Sequence, residues 1–201
     1  MKRGLFVVVA TILLITITAM AQEVRNEISV QGTGFFTKDS SGDGISRTTS
    51  NTGGLLVGYR YRINQLFSAE ANYGYDRNTQ KYYSDSGYAR VQSDVHALTA
   101  DMVVNLPLPF KKISTYALAG GGGLIFRPTN NSGGYVPGAD TQGKGAFLYG
   151  AGADYGLTRH WTVRAEYRGF VYKSPDFGLG ALSSDSWTHT AQPSAGIVYR
   201  F

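Results

Sequence analysis

The side chains best able to do chemistry in this chain are charged residues set two apart. Arg164, Glu166 and Arg168 stand at alternate positions, as do Arg60 and Arg62, and Glu70, Asp101 and Asp154 sit in segments of the same alternating kind. In a strand, residues two apart share a face. These charges therefore project to one side of the segments that carry them. Facing a dry interior, each would need a partner of opposite sign, because an unpaired buried charge is costly. Two chemistries follow. The charges neutralise one another in a filled interior, or they line a polar path for small ions.

Other reactive patterns are missing. His96, His160 and His189 are scattered, with no His-Glu-x-x-His and no Gly-x-Ser-x-Gly around any nucleophile. His189 is followed by Thr190-Ala191 and His160 by Trp161-Thr162, so neither opens the His-x-Ser of the small outer-membrane lipid-A deacylases, which are similar in size. Gly120–Gly123 lies inside an alternating segment rather than at a strand-to-helix turn, and Gly143-Lys144-Gly145 lacks the rest of a phosphate loop. Glycines inside a strand mark a bend or close packing of bulky neighbours. There is no cysteine, hence no disulfide framework. The expectation is a non-enzyme with no catalytic residue, cofactor or metal.

The elements that must position the charges are read from what surrounds them. Lys2 and Arg3 precede an apolar run from Leu5 to Ile17, and Ala19-Met20-Ala21 has the small-x-small form of a cleavage site. Residues 1–21 read as a secretory signal, and 22–201 as one domain. Removing the signal leaves 180 residues and lowers the formal charge from +5 to +3. No basic cluster is interleaved with stacking aromatics, so nucleic acid is not expected as a partner. The mature part has no apolar run long enough for a helical span. An exported chain of this kind crosses a membrane, if it does, as strands.

Eight alternating segments follow: 26–37, 53–63, 66–76, 91–106, 113–127, 144–157, 161–172 and 187–201. Between them the connections run long, short, long, short, long, short, long. The long ones are 38–51, 77–90, 128–143 and 173–186, all polar and read as loops. Short turns on one side and long loops on the other describe an up-and-down transmembrane barrel. The expected fold is all-β, an eight-stranded antiparallel up-and-down transmembrane β-barrel. Its interior is narrow enough for side chains to fill it, which favours the neutralised lumen over the ion path. The turn at Thr158–His160 sets Leu157 opposite Trp161, and stepping back along both strands sets Asp154 opposite Arg164.

Aromatic residues mark the rims. Tyr59, Tyr61, Phe67, Tyr116, Tyr155, Trp161, Tyr199 and Phe201 are expected to face lipid at the short-turn rim, and Phe36, Tyr73, Tyr75, Phe126, Phe147 and Trp187 at the other. The long loops are rich in Tyr, Ser, Gly and Asn, including Tyr82, Tyr83, Tyr88 and Tyr135, and loops on a rigid scaffold commonly carry binding sites.

Three stretches carry a family likeness: Gly150-Ala-Gly-Ala-Asp-Tyr155, Arg164-Ala-Glu-Tyr-Arg168 and the terminal Ala195-Gly-Ile-Val-Tyr-Arg-Phe201. Through them the chain resembles the small outer-membrane β-barrels typified by the transmembrane domain of outer-membrane protein A and by opacity-type surface porins. The resemblance implies the bacterial outer membrane, contact with its lipids, and an assembly signal at Ile197, Tyr199 and Phe201 read by the barrel assembly machinery. With Phe201 as the last residue read, a peptidoglycan-binding domain is not expected, and cell-wall anchoring is not carried over. The expected role is structural or surface-interacting, with a surface ligand held by the long loops. A narrow pore for small solutes or ions is the alternative, and a lipid-modifying barrel enzyme comes third. Members of this group differ in task, so the fold does not fix the function.

Overall fold

The computed structural model describes residues 25–38, 40–42, 45–49, 52–84, 87–106, 112–129, 140–175 and 187–201. The first strand, β1 (Asn26–Thr37), shows the rule by which the whole is built. Glu27, Ser29, Gln31, Thr33 and Phe35 are buried, while Ile28, Val30 and Phe36 are exposed. Apart from Phe35, polar side chains point in and apolar ones point out, the inverse of a water-soluble sheet. The remaining strands are β2 (Ser40–Gly42), β3 (Ile45–Thr49), β4 (Thr52–Arg62), β5 (Phe67–Ser84), β6 (Gly87–Leu106), β7 (Ile113–Pro128), β8 (Gln142–Gly156), β9 (Trp161–Lys173) and β10 (Trp187–Arg200).

Eight of these close a ring. β1 pairs with β4 on one side and β10 on the other, and antiparallel pairing continues through β9, β8, β7, β6 and β5 back to β4. Closure leaves the ring itself without an open edge, which a lipid-immersed sheet requires. At the seam, Asn26 N donates to the Phe201 carbonyl (3.1 Å) and Phe201 N to the Asn26 carbonyl (2.9 Å). The short turns are built locally. Asn64 Oδ1 accepts from the amides of Leu66 and Phe67 (both 2.8 Å), and Thr158 Oγ1 accepts from the amide of Trp161 (3.0 Å). That second turn sets Asp154 opposite Arg164, the register counted from the sequence.

Two expectations are corrected. The stretches 38–51 and 77–90 are not simply loops. β5 and β6 stay paired as far as Ser84 with Gly87, and β2 and β3 form a small hairpin in which β3 pairs with β5. Polar composition reports that a segment is solvated, but it does not report whether its backbone is paired. The second correction concerns β7. Tyr116 and Phe126, expected in the lipid-facing girdles, are buried in the lumen with Leu118 and Leu124. Ala117, Ala119 and Ile125 face outward instead. Both faces of this strand are apolar, so alternation alone does not say which face meets lipid.

The other girdle positions among the described residues do face outward. Tyr59, Tyr61, Phe67, Tyr155, Trp161 and Tyr199 are exposed near the short turns, and Phe36, Tyr73, Phe147 and Trp187 toward the other rim. Between the rims the outward face carries residues such as Val30, Val57, Ala71, Ala100, Met102, Ala151 and Ala165. The signal segment 1–21 lies outside the described residues, as does Tyr135; so do the side chains of Tyr82, Tyr83 and Tyr88.

Candidate functional site in the barrel lumen

The inward positions build two layers. Near the short turns lies an ion network. Five guanidiniums (Arg60, Arg62, Arg164, Arg168, Arg200) meet five carboxylates (Glu27, Glu70, Asp101, Asp154, Glu166), so the network is formally neutral. Arg164 binds Asp154 through Nε and Nη2 (2.8 and 2.9 Å) and reaches Glu27 (2.9 Å) and Glu70 (3.6 Å). Arg168 contacts Glu70 (2.5 Å), Glu166 (2.5 Å) and Asp101 (3.2 Å). Arg60 pairs with Glu70, its cross-strand neighbour, and more loosely with Glu166 (3.5 Å). Arg200 joins Glu27 (3.2 Å) to Asp154 (3.0 Å), and Arg62 holds Glu27 (2.9 Å).

Tyr116 ties β7 into this network. The guanidinium carbon of Arg60 lies 4.2 Å from its ring centroid and that of Arg164 5.3 Å, a cation–π geometry. Its hydroxyl donates to Glu166 (2.5 Å). The ring fits because its cross-strand neighbour on β8 is Gly152, where a Cβ would stand 2.3 Å from the tyrosine hydroxyl. Gly120 and Gly122 serve a related purpose. An added Cβ there would lie 2.2 Å from the Ala100 carbonyl and 2.1 Å from that of Leu98, so these glycines let β7 approach β6 closely.

With Tyr116 counted, every strand of the ring contributes to the network: Glu27 from β1, Arg60 and Arg62 from β4, Glu70 from β5, Asp101 from β6, Asp154 from β8, Arg164–Arg168 from β9 and Arg200 from β10. All eight residues singled out by sequence point inward, and seven of them are buried; Arg62 is partly exposed. Sequence reasoning left Glu27, Tyr116 and Arg200 out of this set. Glu27 shares the inward parity of Ser29, Gln31 and Thr33, a signal that could have found it.

Toward the long connections the lumen turns apolar. Phe35, Val95, Ala97, Leu124, Phe126, Leu148, Phe170 and Tyr172 pack together, all nearly inaccessible. Beside them, Tyr172, Thr190 and Thr37 form a chain of hydroxyl hydrogen bonds, each of 2.9 Å. Asp76 is buried here with no ion pair among the described residues, accepting from Thr33 Oγ1 (2.7 Å) and Gln192 Nε2 (2.9 Å). At the opposite end a cavity of about 680 Å³ opens among the short turns, with Arg60, Arg62, Lys112, Asp154, Arg159 and Arg200 on its wall. Among the described residues no group of three His, Asp or Glu side chains is placed to hold a metal ion.

Known proteins share this architecture. The outer membrane protein OprG of Pseudomonas aeruginosa matches with a TM-score of 0.65 at 13% identity, covering 90% of this chain and 97% of that one. The outer membrane protein AlkL, solved in lipid bilayers, matches at 0.60 and 16% identity, covering 92% and 93%. Ail, the attachment invasion locus protein of Yersinia pestis, matches at 0.56 and 19% identity, covering 90% and 100%. At these identities the likeness shows the fold. No curated protein matches the chain in sequence. The family model of the outer membrane protein beta-barrel domain, however, matches residues 7–201, and the closed ring with its apolar outer face is the structure such a match requires. The chain therefore belongs to the outer membrane protein β-barrel family and is a protein of the bacterial outer membrane.

Proposed function

We propose that this protein is a structural and surface-interaction barrel whose lumen is a brace rather than a conduit. The observation that carries this reading is the neutral ion network linked to all strands of the ring and followed, along the axis, by a packed apolar layer. A conducting path needs water or exposed polar groups along its length, and an apolar constriction dewets. Arg164 and Arg168 are both 0% exposed, as are Leu124, Phe126 and Leu148 further along. Nothing comparable favours an enzyme: each acid of the network is held by at least one guanidinium, and two histidines pair with aromatic residues at the rim, His96 with Tyr73 (2.7 Å) and His189 with Tyr149 (2.8 Å).

On this reading residues 1–21 direct export and are removed. The short turns face the periplasm, and the long connections, with the extended β5–β6 hairpin, face outside. A rigid barrel then holds those connections as contact elements. Ail of Yersinia pestis was crystallised with a heparin analogue, sucrose octasulfate, which supports a surface ligand for a barrel of this shape. Membrane lipids contact the outward band, and the assembly machinery engages Ile197, Tyr199 and Phe201. Planar-bilayer recording of the purified protein tests the lumen. No stable unitary steps are expected, and reproducible steps would favour the pore instead. Capture of partners on intact cells, compared with a variant whose long connections are shortened, tests the surface role.

A further inference from the structure

The lumen network balances its own charges, but the short-turn mouth does not. Arg62 and Arg200, partly exposed on the wall of the 680 Å³ cavity, already hold Glu27 and Asp154. Two more cations on that wall, Lys112 and Arg159, are exposed and make no ion pair among the described residues. The one acid on the wall, Asp154, is shared by Arg164 and Arg200. Among the described residues the mouth thus carries two cations with no acid set against them.

Their placement is fixed by backbone. The Lys112 carbonyl accepts from Gly156 N (2.9 Å), which joins the entry of β7 to the end of β8. Arg159 sits in the turn capped by Thr158 Oγ1. In the ring order, β4 stands across the barrel from β8, so Arg62 faces Lys112 and Arg159 from the other side of the mouth. Two unopposed cations on one wall, facing the partly exposed Arg62 guanidinium on the other, suit a ligand that carries more than one anionic group. Guanidiniums grip carboxylate and phosphate oxygens in a fork geometry. The volume lies within the roughly 300–1,000 Å³ usual for small-molecule sites.

We propose that the short-turn mouth binds a small anion bearing two or more carboxylate or phosphate groups. The site stands independently of the structural and surface role; that role decides only that its ligand is met in the periplasm. The test is calorimetric titration of the folded protein in a non-ionic detergent at low salt, with pyrophosphate and with citrate as probes. Saturable binding of either probe, weakened by added salt, is expected, and the tighter probe names the preferred group. Replacing both free cations, Lys112→Glu with Arg159→Glu, should weaken binding about tenfold or more, as removal of two charge contacts predicts. Lys112→Gln with Arg159→Gln should weaken it less and guards against a folding defect, which heat-modified migration reports. Lys173→Glu, at the other end of the barrel, should leave binding unchanged. Failure of both probes to bind, equal binding by the Glu pair and wild type, or an equal loss with Lys173→Glu would each overturn the site.

Discussion

Arg168 is the residue on which the ion network depends most, and Arg168→Met tests it. Methionine keeps most of the side-chain volume, so the change removes charge with little added cavity. Three carboxylates lose a partner, but not equally. Glu70 keeps Arg60 and Arg164, and Glu166 keeps Arg60 and the Tyr116 hydroxyl. Among the described residues Asp101 keeps only the Asn72 amide (2.9 Å) and the Thr99 hydroxyl (3.4 Å), with no second ion pair. Stripping one member from a buried pair costs roughly 3–5 kcal/mol, because the other is left charged and dry. Arg168→Met should reach that range. Arg164→Met should cost less, about 2–3 kcal/mol by the same argument, since Asp154 retains Arg200 and Glu27 retains both Arg62 and Arg200. Adding Asp101→Asn to Arg168→Met removes the stranded charge and should recover about 1–3 kcal/mol, a coupling typical of residues in contact. The assay is urea unfolding in lipid vesicles followed by the fluorescence of Trp161 and Trp187, which sit at opposite rims, with Lys173→Ala as the exposed reference. If Arg168→Met lies within about 0.5 kcal/mol of that reference, or if the double change is additive, Asp101 and Arg168 are not coupled and the network is not a brace.

Two further outcomes follow from the packing. Gly152→Val should destabilise by about 1–3 kcal/mol, because its Cβ would enter the Tyr116 ring and push it off Arg60 and Glu166; combining it with Tyr116→Ala should restore part of the loss, and a silent Gly152→Val would show that the ring does not occupy this place. Deleting Phe201 removes both seam hydrogen bonds to Asn26 and the ring stacked on Tyr199, so the heat-modifiable folded fraction in membranes should fall severalfold; an unchanged fraction would mean the seam closes without it.

Much of this protein was legible from alternation alone. A period of two is a local property, and on seven of the eight ring strands it told which parity faces lipid, because lipid demands apolar side chains on every outward position while the lumen accepts polar ones. The hairpin registers were equally local: a short turn determines which residues oppose, which is why Asp154 meets Arg164 where counting from Thr158–His160 puts them. Where both parities were apolar, on β7, the pattern carried no sign. Tyr116 faces the lumen because Arg60 from β4 and Arg164 from β9 present cations there, residues 56 and 48 positions away in the chain. The polar hairpins beyond the rims escaped notice for a related reason, since composition records what surrounds a segment and not what its backbone pairs with. The ion network was visible as eight inward charges but not as a network. Arg168 meets Glu70 across 98 positions, from opposite walls, and Arg164 meets Glu27 across 137, over the seam strand β10, contacts that exist only once the sheet has curled and closed.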